Sequence, residues 1–277
     1  MKKIIDAHIH FSKISSFSDA AAIAGVDYGA EGFRRECEEC GVIGAVAMGV
    51  TETGFYGFPD CGSRVSMGCD LPNMPENVRV CSGVNPFLLN EGSIERVEDD
   101  LRRGAAGIKI YAGYYPFAPD HEIYEPLFYL AQKYSKPIVV HTGGTFSDRA
   151  LVEYARPIYA DRAAVRNPGV NIMLAHLSTP WVLESIEMAY KNKNVYLDMS
   201  GLTTGDEAEV DRVRKDPHLS GLFKQGLIYL NNYDKVLYGS DWPLAPMAPY
   251  IRLCESLIPE NWCEKVFCLN AKKLFGL

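Results

Sequence analysis

The sequence predicts a single α/β domain built as a (β/α)₈ barrel, and three observations support this fold class. Eight apolar segments of strand length recur along the chain, and segments with a helical pattern separate most of them. The length of 277 residues also suits the fold, because such barrels typically need about 250 residues. Alternation of strands and helices indicates a parallel sheet covered by helices. We therefore expect one barrel domain spanning residues 1–277.

The expected strands are apolar and rich in β-branched residues, as strands buried on both faces usually are. They lie at 3–10, 42–50, 79–85, 107–111, 137–141, 170–176, 194–199 and 235–240. Helical patterns occur at roughly 29–41, 92–104, 121–135, 148–167, 180–192 and 219–232, and a last helical region at 260–275 follows the eighth strand.

The second crossover departs from this alternation. Residues 51–78 are rich in Gly, Pro, Asn and Ser and show no helical period. A loop of this length in a compact domain is usually functional, so we expect it to cover the active site as a lid or substrate loop. Its candidate pocket residues, for which packing of the loop itself is the alternative, are Phe55, Tyr56, Phe58 and Arg64.

The composition narrows the classes of function. Apolar residues make up 47% of the chain and charged residues 23%, as in soluble globular proteins. The net charge of -7 argues against a nucleic-acid partner. No apolar run reaches membrane-spanning length, and the N-terminus lacks the apolar core of a signal peptide. The eight cysteines are therefore expected to be reduced thiols in a cytoplasmic protein.

Histidines at strand ends give the first indication of a site. Side chains alternate between faces along a strand, so His8 and His10 point the same way and can bind one metal ion. Taken alone, this pair is as well explained by two surface histidines on an edge strand. However, three further predicted strands also end in residues that bind divalent metals, namely His141, His176 and Asp241. Catalytic side chains of such barrels lie at the carboxyl ends of the strands, so we expect these five residues to converge.

Short motifs surround the strand-end residues and the end of the chain. They are Ile5-Asp-Ala-His-Ile-His10, Gly107-Ile-Lys-Ile-Tyr111, Val139-Val-His-Thr-Gly143, Leu174-Ala-His-Leu177, Tyr238-Gly-Ser-Asp-Trp-Pro243 and the ending Asn270-Ala-Lys-Lys-Leu-Phe275. These motifs resemble those of the amidohydrolase superfamily, specifically its amidohydrolase 2 branch, which includes relatives of aminocarboxymuconate-semialdehyde decarboxylase. The resemblance runs in the family's order along nearly the whole chain. The family includes hydrolases as well as decarboxylases of aromatic or muconate acids.

The resemblance implies a role for each strand-end residue. His8, His10, His141 and Asp241 correspond to the family's metal ligands. Imidazoles with one carboxylate suit Zn²⁺ and leave a position for water or substrate, and Mn²⁺ is the alternative ion. His176 corresponds to the family's histidine of the sixth strand, which handles a proton beside one metal or ligates a second. Asp241 binds the metal, takes the proton of the water, or does both.

Three further residues are candidates for binding the substrate. Lys109 shares a strand face with Tyr111, and the apolar Ile108 and Ile110 occupy the other face, which directs Lys109 into the barrel. We expect one metal and an unmodified Lys109 that binds a substrate carboxylate. The alternatives are a carboxylated lysine bridging two metals, as in some relatives, or a lysine paired with an internal acid. Arg149 either binds an anionic substrate or faces solvent. Tyr111 either lines the pocket or packs in its loop.

The expected function is metal-dependent hydrolysis. A metal-activated water attacks the carbonyl of an amide, lactone or ester in a small carboxylate-bearing substrate, while Asp241 and His176 manage the protons and Lys109 holds the carboxylate. The alternative is a non-oxidative decarboxylase that uses the same metal. A catalytically silent barrel is a third class, which the intact ligand set disfavours. A small molecule is the expected partner, and dimers are common in the family that the chain resembles.

Overall fold

An eight-stranded parallel sheet, closed into a barrel, forms the centre of the molecule. The structure, a computed structural model, describes residues 3–50 and 66–277. The strands follow chain order, and each pairs in parallel with the next. The first strand and its end meet the segment that follows the last strand through three backbone hydrogen bonds: from Ala7 N–H to Tyr238 O at 2.9 Å, from Asp241 N–H to His8 O at 2.9 Å and from His10 N–H to Trp242 O at 2.7 Å. The predicted (β/α)₈ barrel is therefore confirmed.

All eight predicted strands are present, and each is shorter than expected. They are β1 (Ile4–Ile9), β2 (Val42–Met48), β3 (Val78–Gly83), β4 (Gly107–Ile110), β5 (Ile138–Val140), β6 (Ile172–Leu174), β7 (Val195–Asp198) and β8 (Val236–Leu237). Nearly every strand residue is buried, because the barrel interior covers one face and the helices cover the other.

The helices surround the barrel. They are α1 (Ser15–Ala24), α2 (Ala30–Cys40), α3 (Glu91–Arg102), α4 (Glu125–Tyr134), α5 (Ile158–Arg166), α6 (Val182–Lys191), α7 (Glu207–Lys215), α8 (Pro217–Leu230), α9 (Met247–Leu257) and α10 (Asn270–Phe275). A π-helical turn, Lys265–Leu269, leads into α10.

Two expectations about the helices were wrong. The predicted helix over 148–167 is α-helical only in α5, and its first part contains a short 3₁₀ turn, Val152–Ala155. Pro157 explains this boundary, since a proline disfavours the helical conformation of the residue before it. The sequence patterns also missed α1, α7 and α9.

The second crossover is described only in part. Residues 51–65, with Phe55, Tyr56, Phe58 and Arg64, lie outside the described residues, so their role as a lid stays a prediction. The described end of the crossover is fixed to the barrel: Ser12 Oγ donates to Gly68 O at 2.7 Å, and Met67 N–H donates to Asp100 Oδ2 at 3.1 Å.

Within residues 3–50 and 66–277, none of the helices has both the length and the apolar character that a bilayer crossing would need. The cysteines in this part of the chain, Cys37, Cys40, Cys69, Cys81, Cys254, Cys263 and Cys268, are free thiols.

Candidate active site

His8, His10 and Asp241 meet at the carboxyl ends of β1 and β8. Asp241 Oδ1 lies 3.1 Å from His10 Nε2 and 3.6 Å from His8 Nε2. One ligand atom from each residue lies within 4.8 Å of the others, and all three side chains are buried. The strand periodicity of the His8–His10 pair and the pairing of β1 with the β8 end together create this group.

The donor set of this group fits a divalent cation. Asp241 Oδ1 and His10 Nδ1 are buried polar atoms without a hydrogen-bond partner among the described residues. A buried carboxylate oxygen without a hydrogen bond is costly, and a cation between this oxygen and the two Nε2 atoms would remove that cost. These three ligands would leave further coordination positions of the ion open, as catalytic zinc sites require.

Burial sets protonation states that suit a cation. Burial lowers the pKa values of His8 and His10, so both imidazoles are neutral at neutral pH. Burial opposes ionisation of Asp241, but the surrounding imidazoles, that of His176 most strongly, hold its pKa well below its usual range. A carboxylate beside neutral imidazoles is the form in which these groups bind a metal.

His176 adjoins this group from the end of β6. Its Nδ1 lies 3.8 Å from Asp241 Oδ2, and its ring centroid lies 5.0 Å from that of His8. Burial lowers the pKa of His176 to about 4, so the imidazole is neutral and able to accept a proton at neutral pH.

His141, at the end of β5, lies farther from the group than its predicted ligand role requires. Its Nδ1 is 3.1 Å from His176 Nε2, and its Nε2 donates to Gly144 O at 3.0 Å. The described groups whose donor atoms could hold one ion do not include His141. The structure therefore brings His141 against His176 and into the same cavity. The His176 side chain contacts His141 on one side and Asp241 on the other.

Lys109 lies inside the barrel and is completely buried. Its Nζ is 3.4 Å from His8 Nε2 and lies 5.0 Å from the ring centroid of Tyr111. Burial lowers the pKa of Lys109 to about 8. Among the described residues no carboxylate oxygen lies within 4.0 Å of Nζ, so the alternative of a lysine paired with an internal acid lacks a partner there.

Tyr111 and Arg149 occupy different surroundings. Tyr111 lines the cavity, and its hydroxyl donates to Gly49 O at 3.0 Å. Arg149 is exposed, and it is not among the described residues that line the cavity. The structure thus brings Tyr111 together with Lys109 and leaves Arg149 outside.

The cavity above the site has a volume of about 400 Å³, which suits a small molecule. Its wall is partly aromatic: the Phe17 ring of α1 stacks on His10 at a centroid distance of 4.3 Å, and Tyr114 meets His141 edge-on at 4.8 Å. Polar groups at its rim include Thr145, Thr179, Thr203, Thr204 and Glu209.

Two buried polar residues of the site were missed by sequence reasoning. Asp198 is the last residue of β7, and its Oδ2 lies 2.8 Å from His8 Nδ1. Ser200, two residues later, places its Oγ 2.9 Å from His176 Nδ1. Asp198 ends a predicted strand, as Asp241 does, and this position was the signal that could have identified it.

Gly201 was also missed, and its lack of a side chain shapes the site. It has φ +56, and a Cβ at this position would lie 2.6 Å from His176 Nδ1 and 2.8 Å from Asp241 Oδ2. Both distances are shorter than side chains tolerate, so only glycine lets the backbone pass this close to both residues.

Comparisons with known proteins relate the chain to one family. A family model described as amidohydrolase, of the amidohydrolase 2 type, matches residues 77–277. No curated protein matches the sequence.

Solved structures share the fold at low identity. An uncharacterized TIM-barrel protein from Bordetella bronchiseptica is 18% identical, with a TM-score of 0.70 over 99% of this chain and 98% of that one. A dihydroxybenzoic acid decarboxylase from Polaromonas, with bound manganese and an inhibitor, is 14% identical, with a TM-score of 0.64 over 100% of this chain and 98% of that one. A suggested 2-pyrone-4,6-dicarboxylic acid hydrolase from Acinetobacter baumannii, with citric acid bound, is 13% identical, with a TM-score of 0.65 over 99% of this chain and 100% of that one.

Proposed function

Since the chain belongs to the amidohydrolase family, we propose that it is a metal-dependent hydrolase that cleaves an amide, lactone or ester bond in a small carboxylate-bearing substrate. The observation that carries this proposal is the buried group of His8, His10 and Asp241, in which Asp241 Oδ1 faces two imidazole nitrogens and has no hydrogen-bond partner among the described residues. The cavity above this group has room for a small substrate.

In this proposal His8, His10 and Asp241 hold the ion, and His141 completes the ligand set after its Nε2 leaves Gly144 O. The bound cation would lower the pKa of a water and polarise a carbonyl. We propose Zn²⁺ for the imidazole-rich ligand set. Mn²⁺ is the alternative, supported by the manganese in the Polaromonas decarboxylase.

The remaining residues would manage protons and bind the substrate. His176 is neutral and adjoins Asp241, so either residue can accept the proton of the attacking water. Lys109 is a buried cation without a carboxylate partner among the described residues, which suits it to a substrate carboxylate. Tyr111 would support Lys109 from the cavity wall. We give Arg149 no part in this scheme because it lies outside the cavity lining.

Non-oxidative decarboxylation is the second candidate. The decarboxylase from Polaromonas shares the barrel, and Lys109 would bind the carboxylate of such a substrate equally well. Decarboxylation needs a donor that protonates the ring carbon, whereas burial lowers the pKa of His176 and keeps its imidazole neutral at neutral pH. We place hydrolysis first because the family model that matches the chain is described as amidohydrolase.

A substrate screen separates the two reactions. The metal-loaded protein is offered lactones, amides and esters of small carboxylic acids, and in parallel hydroxybenzoates and muconate-like acids. Hydrolysis releases acid and incorporates ¹⁸O from labelled water, whereas decarboxylation releases CO₂ without net addition of water. Release of CO₂ alone would overturn the hydrolase proposal. His218→Asn, which changes an exposed histidine that is not among the residues lining the cavity, serves as the control variant.

We also propose that residues 1–277 form one domain and that the protein acts in the cytoplasm as a homodimer. The free thiols of the described cysteines suit a reducing compartment. Light scattering coupled to gel filtration tests the oligomeric state, and a monomer would contradict that part.

A further inference from the structure

The end of β7 places two fully buried polar side chains, Asp198 and Ser200, behind the candidate metal site. Asp198 Oδ2 accepts a hydrogen bond from His8 Nδ1 at 2.8 Å. Asp198 Oδ1 accepts from the backbone N–H of His176 at 3.0 Å and from that of Ser200 at 2.9 Å. One carboxylate thus contacts both the first histidine of the ligand group and the backbone of the candidate proton acceptor.

The Ser200 hydroxyl occupies the space between these groups. Its Oγ lies 3.1 Å from His8 Nδ1 and 2.9 Å from His176 Nδ1, and it also contacts Asp198 Oδ1. Ligand atoms of His8, His176 and Asp198 all lie within 4.8 Å of one another, which by itself resembles a second ion site. Because the hydroxyl fills the middle of this group, the structure favours a hydrogen-bonded support over a second ion.

The two nitrogens of the His8 ring face different partners. Nδ1 points to Asp198, and Nε2 lies on the side of the cavity, 3.4 Å from Lys109 Nζ and 3.6 Å from Asp241 Oδ1. A neutral imidazole carries one proton, and the partner of one nitrogen decides which nitrogen has it. A carboxylate only accepts hydrogen bonds, so Asp198 draws the proton to Nδ1 and leaves the lone pair of Nε2 directed at the cations of the cavity side.

We propose that Asp198 is a positioning residue that fixes His8 in its Nδ1–H form with Nε2 directed at the cation, and that Ser200 connects His176 to the same carboxylate. This inference rests on the proposed metal site, and it concerns residues that the family match and the strand-end histidines do not assign. Residues in this position behind a metal-binding histidine typically change metal affinity 10–100-fold when mutated.

The test compares the metal affinities of three variants with that of the wild type, using Zn²⁺ alone in competition with a chelator. Asp198→Asn keeps the shape but offers an N–H to His8 Nδ1, which moves the ring proton to Nε2. We expect its Zn²⁺ affinity to fall about 10–100-fold. Ser200→Ala keeps the contact between Asp198 and His8, so its affinity should stay within about threefold of the wild type. Asp100→Asn removes another fully buried, hydrogen-bonded carboxylate away from the cavity and controls for general destabilisation.

An affinity of folded Asp198→Asn equal to that of the wild type would overturn the inference, as would an equal loss in Asp100→Asn. A second measurement does not depend on the variants. In ¹⁵N-histidine NMR spectra of the metal-free wild type, the His8 signal, identified by its loss in His8→Gln, should show the Nδ1–H form. The Nε2–H form would overturn the inference. If the wild type binds neither Zn²⁺ nor Mn²⁺, the proposed function fails. The NMR spectrum of the metal-free protein then decides by itself whether Asp198 fixes His8 in its Nδ1–H form.

Discussion

Asp241 and His176 both have left-handed backbone conformations, with φ values of 62° and 66°. Such values are uncommon for residues other than glycine and cost roughly 1–3 kcal/mol each. Together with Gly201, which leaves space beside both side chains, they turn an imidazole and a carboxylate toward each other at the barrel mouth. Leu177 and Ser178, which follow His176, also have positive φ values, so a strained stretch of backbone adjoins the candidate site, as is typical of functional residues.

The ligand role of the first strand can be tested by removing its two imidazoles together. His8→Ala/His10→Ala should lose the metal, because it removes two of the three residues whose donor atoms already lie close enough together to hold one ion. Elemental analysis of the wild type should give about one equivalent per chain, as expected for an open single-metal site. His218→Ala, at an exposed position, should keep its metal. A full equivalent in the double variant would show that the ligands lie elsewhere.

His176 is expected to handle a proton rather than to hold the ion. His176→Asn should keep its metal and its fold but lose turnover by roughly 10²–10⁴-fold, the usual contribution of a general acid–base residue. Metal content and kcat measured on the same preparation separate the two roles. Loss of the metal would make His176 a ligand, and normal turnover would leave Asp241 as the base.

Lys109 is expected to bind the substrate as an unmodified ammonium. Lys109→Met keeps the length of the side chain but removes the charge, so KM for a carboxylate substrate should rise about 10–100-fold, which is the size of one charged hydrogen bond. The methyl ester of the same substrate provides the control, since its KM should change little. Two metal equivalents together with a carbamate signal in ¹³C-bicarbonate NMR would refute the one-metal scheme.

At the scale of elements, α2 fixes the end of β8 from outside the barrel. Glu36 accepts hydrogen bonds from Trp242 Nε1 at 2.9 Å and from the backbone N–H of Met247, the first residue of α9, at 2.7 Å. Trp242 directly follows Asp241 and is fully buried against Phe33 and Phe11. The conformation of the ligand-bearing loop therefore depends on a carboxylate about two helical turns into α2.

Replacing this carboxylate tests the connection. Glu36→Gln replaces one of the two accepting oxygens with an NH₂ group, which then faces the N–H of Trp242 or Met247. At low pH we expect the variant to lower the free energy of unfolding by about 1–3 kcal/mol, measured by urea denaturation. Burial raises the pKa of Glu36 above its ordinary value of 4.5. The stability that Glu36 adds is therefore greatest below about pH 4.5 and is lost as the pH rises through the raised pKa. The difference between wild type and variant should narrow from pH 4 to pH 8.

Glu38→Gln is the matched control for this experiment, since Glu38 is exposed on the same helix. It should leave the unfolding free energy nearly unchanged over the whole pH range, because surface substitutions rarely exceed about 0.5 kcal/mol. A difference between wild type and Glu36→Gln that widens with pH would contradict the expected sign.

The helices that sequence patterns missed depend on features other than an apolar stripe. Helix α7 buries only Val210 and Val213. Its N-terminus is capped by the Asp206 side chain, which accepts a hydrogen bond from Glu209 N–H, and a surface ion pair joins Glu209 to Arg212. Apolar periodicity cannot detect such a helix, whereas its capping residue and its charge spacing would have indicated it.

At the scale of the whole molecule, the proposed ion joins the two ends of the barrel. Three of its proposed ligands, His8, His10 and Asp241, come from the end of β1, the first strand, and from the segment after β8, the last. A ligand that binds only the folded chain stabilises it by about 2.7 kcal/mol at 100 times its Kd, which corresponds to a rise in Tm of roughly 5–10 °C for a chain of this size.

Thermal unfolding followed by circular dichroism measures this effect. Zn²⁺ should raise the Tm of the wild type, and a chelator should reverse the rise. The His8→Ala/His10→Ala variant should show no shift. An equal rise in both proteins would mean that the ion stabilises the fold from another place.

The sequence by itself determined the fold class and the positions of His8, His10 and Asp241 at strand ends. Parallel buried strands leave a local signature, a continuous apolar run, and all eight were found. The position of His8, His10 and Asp241 at strand ends was also local information, and the closed barrel brings strand ends together whatever lies between them. Lys109 was placed inside the barrel by local information too, because side chains alternate between the two faces of a strand.

Only the tertiary structure decided how these side chains pair. The contact between His8 and Asp198 joins residues 190 positions apart, and it depends on which strands the closed barrel brings side by side. The placement of His141 against His176 and the exposure of Arg149 follow from ring orientation and from a loop that ends in a 3₁₀ turn. Periodicity specifies the face on which a side chain lies. The partner of that side chain across the barrel is set by closure, twist and packing, which local patterns in one chain do not contain.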